Sequence, residues 1–205
     1  MSATFVKVKT IMDEVAASTT YFAAAARPNT SFTMAATTFA AGHNGGGAVI
    51  TATTAGGSDS GKTVTLTGTD LNGVAQTEVI TLPGSATTTA GTKYFLTVTA
   101  AEMSAQPAAN VSLGFNNSRG MGMFAGRTAL KGFTAASGGT AGDIAFHSNG
   151  ALTTSSTPFM QYRTNGTADH ETHFNIPAPG ILCQEGLTVT YTLDTIDQMN
   201  VLYNG

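Results

Sequence analysis

Charged side chains are scarce in this sequence. Of its 205 residues only 10% are Asp, Glu, Lys or Arg, against roughly 25% in an average soluble domain. The formal net charge is -3, with 9 basic residues, so the chain has no basic field for a phosphate backbone, which non-specific nucleic-acid binding requires. Nucleic acid is therefore not an expected partner.

Cysteine and long apolar runs are also scarce or missing. The single cysteine, Cys183, cannot form an internal disulfide, which excludes the disulfide-stapled secreted scaffolds, and we expect it to be a small core side chain. No run of about 18 apolar residues occurs, so no segment is expected to span a membrane. Residues 1–26 lack the apolar stretch of a secretory signal. We expect a soluble protein that stays inside a cell until it is assembled.

Threonine and glycine take the place of charge. The chain has 36 threonines and 24 glycines, and 41% of its residues are apolar, which is enough for a core at this length. Residues 63–67 and 187–193 alternate strictly between apolar residues and threonine, the period of a strand with one buried face. Threonine favours strands and stays wettable, so we expect it to coat the outward faces of sheets.

About eleven strands are predicted, with short turns between them. Asn72-Gly73 is a strong hairpin signal, because a type I′ turn needs positive φ at both central residues. Many short strands with such turns predict an all-β fold, an antiparallel β-sandwich or jelly roll. Besides the two alternating segments, the predicted strands are residues 31–39, 48–54, 78–82, 93–99, 110–115, 143–147, 158–163, 173–176 and 198–203.

The predicted organisation is an N-terminal arm followed by two β lobes. Residues 16–26 are rich in alanine without a clear apolar stripe, and we interpret residues 1–28 as an arm with at most a short helix. A change of composition at residues 116–126 indicates lobes at 29–118 and 119–205. One continuous jelly roll with a long crossover loop is the alternative, and the sequence does not decide between them.

One segment, from Gly56 to Thr63, matches the phosphate-loop pattern GxxxxGK[ST] letter for letter. That motif works because a helix follows it and its N-terminus binds phosphate. Here residues 64–68 form an alternating β-branched segment, so we expect a hairpin loop and no nucleotide site. The sequence also has no GxSxG elbow, and we predict no enzyme activity and no cofactor.

The segment from Asp169 to His173 concentrates two histidines and two carboxylates. On a strand, Asp169, Glu171 and His173 would share one face and His170 would lie opposite. The first three are weak candidates for a metal site, and the two histidines are candidates for a subunit contact. An ordinary exposed loop or strand edge is the third interpretation.

Methionine and phenylalanine are enriched next to the change of composition. Met121, Met123 and Phe124 are expected by default to pack in a core. The alternative is an adaptable apolar patch that covers a neighbouring subunit, and on that basis they are interface candidates.

Strands and turns in two blocks form a recognisable pattern. The first block comprises residues 64–73, 78–84, 91–95 with 98–99, and 110–114, and the second comprises residues 177–203. These blocks resemble virion structural proteins of tailed bacteriophages, of the kind that decorate or cement a capsid. The resemblance implies a β-sandwich or jelly roll, and it carries no catalytic residue.

The resemblance implies a virion structural role without indicating one position in the particle. From this role and the lack of catalytic motifs we expect a location on the capsid exterior, after assembly in the host cytoplasm. The expected function is a head decoration protein that binds and stabilises the major capsid shell. Its expected partners are the major capsid protein and copies of itself, as a homotrimer, with no nucleic acid and no membrane. The alternatives are a tail or neck protein, or a carbohydrate-binding or host-adhesion module that would need exposed tyrosines at Tyr94, Tyr162, Tyr191 and Tyr203.

Overall fold

The chain folds into antiparallel β-strands. The structure is a computed structural model that describes residues 6–12 and 15–205. Its one short helical element is a 3₁₀ turn at Ala41–His43. The strands are β1 (Lys7–Ile11), β2 (Ser18–Ala26), β3 (Gly47–Thr54), β4 (Thr63–Thr69), β5 (Ala75–Thr81), β6 (Thr87–Phe95), β7 (Thr97–Met103), β8 (Val111–Phe124), β9 (Thr128–Ser137), β10 (Asp143–His147), β11 (Met160–Arg163), β12 (Glu171–Asn175), β13 (Ile181–Cys183), β14 (Leu187–Thr192) and β15 (Ile196–Asn204).

These strands form three sheets. Sheet I has the order β1-β15-β9-β12, with β13 beside β9; sheet II has the order β11-β10-β14-β8-β3-β6, with β2 beside β8; sheet III has the order β5-β4-β7. Every pairing between named strands is antiparallel. The prediction of an all-β antiparallel sandwich is confirmed, whereas this strand order does not by itself establish a jelly roll.

Two hydrophobic cores lie on either side of the middle of β8. The first contains residues of sheet III and of β2, β3 and β6, together with Phe115 from the first half of β8. The second lies between sheet I and the rest of sheet II and contains Met121 from the second half. The predicted lobe boundary at 118/119 falls inside β8, which contributes to both cores. A division into separate lobes stays a prediction.

Residues 116–126, where the change of composition suggested a boundary between lobes, continue β8 as far as Phe124. Gly120 and Gly122 allow close packing, because the turn that contains Leu71 lies directly against this part of the strand. A Cβ at Gly122 would be 2.2 Å from the Leu71 backbone oxygen, and one at Gly120 would be 2.6 Å from its side chain. The strand prediction for residues 31–39 is wrong, since only isolated bridges form there, at Ser31 and Thr38.

Within the predicted arm, residues 18–26 form strand β2, which pairs with β8. The short-helix interpretation of residues 16–26 is therefore wrong. Phe22 and Ala23 of β2 are buried in the first core, and tertiary contact provides the apolar environment that the alanine-rich sequence did not indicate. Residues 1–5 and 13–14 of the predicted arm lie outside the described residues.

Replacing Gly114 with alanine is expected to weaken the docking of β2. A Cβ at Gly114 would lie 1.7 Å from the Ser18 backbone oxygen, so the two strands would have to separate. We expect a loss of about 1–3 kcal/mol in the free energy of unfolding and faster amide exchange across β2. Denaturant titration and hydrogen exchange measure these effects; unchanged exchange in β2 would contradict this arrangement.

The threonine prediction holds for sheet III and not for β14. In β4 the residues Val64, Leu66 and Gly68 are buried while the threonines between them face outward. In β14 five consecutive residues are buried, including Thr188 and Thr190. Its apolar residues face the second core, and the Thr188 and Thr190 hydroxyls contact the Asn149 carbonyl and His147, so the strand is covered on both faces. The outward threonines of sheet III are Thr63, Thr65, Thr67, Thr69, Thr77, Thr81, Thr97 and Thr99.

Candidate functional site

The loop that matches the phosphate-loop pattern is organised around a buried carboxylate. Asp59 is 0% exposed and accepts hydrogen bonds from the backbone N–H groups of Ala108, at 2.6 Å, and Ala109, at 3.2 Å. The Lys62 ammonium donates to Asp59 Oδ1 at 2.9 Å and to the Gln106 carbonyl at 2.9 Å. The loop is thus fastened to residues 106–109 by its own aspartate and lysine.

In a phosphate loop the lysine at this position would bind the phosphate, but here Lys62 binds Asp59 and the Gln106 carbonyl instead. The next residue after Lys62 is Thr63, which begins β4 rather than a helix, so the helix N-terminus that binds phosphate is not formed. The loop joins β3 of sheet II to β4 of sheet III. It is therefore a connection between sheets, and the prediction of a hairpin loop is wrong.

A second buried carboxylate, Glu78, connects sheets II and III. Glu78 Oε1 accepts hydrogen bonds from the backbone N–H groups of Thr92, at 2.5 Å, and Lys93, at 3.1 Å, and from the Thr92 hydroxyl at 2.9 Å. Both acids hold backbone segments in place. Neither role was predicted from the sequence, because the amides that these acids bind lie at least 14 residues away on other segments.

The segment from Asp169 to His173 is exposed at the edge of sheet I. Glu171 and His173 lie on β12, with Glu171 Oε2 and His173 Nε2 3.5 Å apart and side chains 74% and 65% exposed. Asp169 precedes the strand with a φ of +56°, so it does not continue their alternation. The described residues contain no group of three or more His, Cys, Asp or Glu arranged to hold a metal. His170 is also exposed, and both histidines stay interface candidates.

The methionine candidates are core residues. Met121 is 0% exposed and Met123 is 6% exposed, and both pack in the second core. They have almost no surface to offer a neighbouring subunit, so their prediction as interface residues is corrected to core packing. Phe124 is partly buried against the same core, and the Lys7 ammonium lies 5.2 Å from its ring centroid.

The tyrosines do not form an exposed platform. Tyr94, Tyr191 and Tyr203 are 7%, 4% and 8% exposed, while Tyr162 is partly buried and shares a hydrogen bond with the Thr172 hydroxyl at 2.7 Å. The exposed stacking surface that the carbohydrate-binding alternative required is therefore not present at these four positions.

Cys183 is buried, as predicted, and burial raises the pKa of its thiol.

The exposed large apolar side chains are concentrated on sheet I. Of the eight that the described residues expose, five lie on or next to its outermost strands. These five are Val6 (51% exposed), Val8 (59%), Met12 (44%), Phe174 (43%) and Leu182 (48%). They form two groups at the opposite edges of the sheet, and exposed apolar residues that cluster in this way are typical of interaction surfaces. None of the five was predicted from the sequence.

A buried histidine, His147 on β10, makes stability depend on pH. It is 4% exposed and lies 3.0 Å from the Thr190 hydroxyl through Nε2. Burial lowers its pKa from the ordinary value of 6.5, and a hydrogen bond with the backbone of Thr157 opposes this only in part. The unfolded chain therefore binds a proton at His147 more readily than the folded chain does.

We expect the His147 contribution to be complete above about pH 6.5 and to be lost progressively as the pH falls below that value. Thermal unfolding measured from pH 7.5 to 5 should show this decrease in the wild type. The decrease should be smaller in His147→Gln and unchanged in His170→Gln, which alters an exposed histidine. Equal pH dependence in all three proteins would contradict the assignment.

No family model, curated protein or solved structure matches the chain. Within residues 6–12 and 15–205, no helix has the length and apolarity needed to cross a bilayer.

Proposed function

We propose that this chain is a structural protein of a tailed-phage virion, specifically a head decoration (cement) protein that binds and stabilises the major capsid shell. The observation that carries the proposal is the distribution of its surface residues. Threonines cover the outward face of sheet III, and exposed apolar residues lie at the edges of sheet I. One chain thus has a threonine-rich face, which also carries the exposed Val79 and Glu102, and apolar residues at sheet edges, and both features suit repeated contacts.

A threonine-coated sheet suits a shell contact for a physical reason. Hydroxyl groups can exchange hydrogen bonds with water for hydrogen bonds with a partner, and they do not leave a buried unpaired charge. The hydroxyls of Thr69 and Thr97 already pair across strands at 2.8 Å, and the Thr99 hydroxyl donates to the Thr67 carbonyl at 3.2 Å. These three threonine side chains are therefore ordered before any partner binds, which lowers the entropic cost of association.

The resemblance of the strand and turn blocks to phage virion proteins supports the same function. In this proposal sheet III faces the major capsid protein, and copies of the chain contact one another through sheet I. The proposed assembly is a homotrimer on the capsid exterior, formed after synthesis in the host cytoplasm.

A cryo-EM map of particles that contain this chain, combined with quantitative mass spectrometry of the same particles, tests the proposal. We expect density on the outer surface of every capsomer and a copy number close to that of the major capsid protein. Six or twelve copies at one vertex or along the tail would overturn the decoration role and support the tail or neck alternative.

A further inference from the structure

Sheet I ends in two edges that differ in sequence. β1 forms one edge and pairs only with β15 among the described strands. β12 and β13 form the opposite edge, end to end along β9. An edge strand leaves a row of polar backbone groups without strand partners, and proteins usually protect such edges with charge, proline or a covering segment.

Both edges carry exposed apolar side chains in addition to charged ones. Val6 and Val8 lie at the β1 edge, and Phe174 and Leu182 lie on β12 and β13. The Phe174 ring is already stacked on Phe133 at 5.7 Å between centroids, so an ordered aromatic surface is available at this edge. Burying such side chains in a contact is favourable by about 25 cal/mol per Å² of apolar surface.

The two edges also carry opposite charge. β1 has the sequence KVKTI, so its only charged residues are Lys7 and Lys9. The opposite edge carries the exposed acids Asp169 and Glu171, and the neighbouring Lys131 ammonium donates to the Pro179 carbonyl between β12 and β13. This complementarity favours contact between unlike edges and opposes contact between like ones.

We propose that the β1 edge of one copy of this chain binds the β12–β13 edge of a second copy, head to tail. The contact places Val6 and Val8 against Phe174 and Leu182, and it brings Lys7 near Asp169 and Glu171. It rests on the proposed homo-oligomer and identifies the surface through which its copies meet. Since the two edges are different, each copy keeps one free edge of each kind, and the contact repeats until a ring closes.

Side chains, rather than a long backbone ladder, carry most of this contact. The Asn44 side-chain amide donates to the Thr10 carbonyl at 3.0 Å, which engages β1 towards its C-terminal end. The Lys9 ammonium donates to the Gly122 carbonyl at 2.8 Å, whereas Lys7 is exposed. Residues 6–8 are therefore the part of β1 that is open to a neighbour.

Native mass spectrometry and sedimentation of the purified full chain test the contact without any capsid. We expect a trimer at about 100 μM, a concentration that saturates a contact of micromolar Kd. Val8→Lys and Leu182→Lys should each weaken association about tenfold or more. The matched control is Val79→Lys, because Val79 on β5 is also 59% exposed but lies on sheet III; it should leave the trimer intact. Circular dichroism checks that all variants remain folded.

A mixing experiment distinguishes unlike from like edges. Val8→Lys keeps an intact β12–β13 edge and Leu182→Lys keeps an intact β1 edge, so an equimolar mixture should form a one-to-one heterodimer that neither variant forms as a homodimer. A wild-type monomer at about 100 μM, or a Leu182→Lys protein that still forms homodimers, would overturn the proposal. A wild-type trimer that is missing from capsid exteriors would instead overturn the decoration role and leave this contact standing.

Discussion

Replacing Asp59 with alanine is expected to lower the free energy of unfolding by about 3–4 kcal/mol. The substitution leaves the backbone N–H groups of Ala108 and Ala109 without their acceptor and removes the partner of the Lys62 ammonium. This loss is in the lower part of the range of about 3–5 kcal/mol for breaking a buried ion pair, because Lys62 is 25% exposed and its ammonium can be hydrated. Urea denaturation at pH 7 measures the difference.

The Asp59 carboxylate also makes the free energy of unfolding depend on pH in the acidic range. Burial by itself would raise the pKa of Asp59, but the Lys62 hydrogen bond and the two backbone amides outweigh it and lower the pKa from 3.8 to about 2. The folded state therefore holds the charged form more firmly than the unfolded state, a difference of about 2 kcal/mol. This contribution is present above about pH 4 and is lost as the pH falls towards 2.

Two variants control the Asp59 prediction. Asp59→Asn keeps the shape of the side chain and removes its charge, so it should lose about 2 kcal/mol and the acid dependence below pH 4. Asp143→Ala breaks an exposed pair with Arg163, whose side chains are 39% and 68% exposed, and should cost less than about 1 kcal/mol. Equal losses for Asp59→Ala and Asp143→Ala would contradict the role of Asp59 in fastening the loop.

Replacing Phe115 with alanine is expected to cost about 3–5 kcal/mol. Phe115 is 1% exposed, and its ring centroid lies 5.1 Å from that of Tyr21 and 5.3 Å from that of Phe39. The Arg119 guanidinium lies 4.9 Å from the same ring. The side chain thus joins β8 to β2 and to the segment before β3, and its loss leaves a cavity that strands on several sides cannot close.

Phe159→Ala is the matched control for Phe115→Ala. Phe159 is 37% exposed, so its truncation should cost only about 1–2 kcal/mol and leave little cavity behind. Denaturant titration of both variants, with hydrogen exchange in β2, measures the effect. If Phe115→Ala lost no more stability than Phe159→Ala, the contact of β2 with the first core would be contradicted.

Local patterns predicted individual strands well where one face is buried and the other exposed. β4 alternates as its sequence does, because sheet III has one face on the core and one in water. The same pattern in β14 misled the prediction about threonine, since neighbouring segments bury Thr188 and Thr190. Which faces are covered depends on segments far away in sequence, and a pattern of period two does not contain that information.

The interface candidates also show that a local sequence pattern does not specify which residues are exposed. Met121 and Met123 were predicted as candidates for an adaptable surface, but they are buried. Val8 and Leu182 were not predicted as interface residues, and they are exposed at sheet edges. A strand becomes an edge only through the order in which strands pair, which local periodicity does not specify. Candidate surfaces could therefore be found only after the sheets had formed.

The sequence by itself determined the class of this protein: 10% charge, abundant threonine and a period of two specify antiparallel sheets with hydroxyl-coated faces. It also determined that residues 64–68 follow the phosphate-loop match as a strand. Only the tertiary structure decided that Asp59 and Lys62 fasten that loop, that residues 18–26 join sheet II, and that sheet I has unlike edges. The physical reason is that burial and strand order arise from contacts between distant segments.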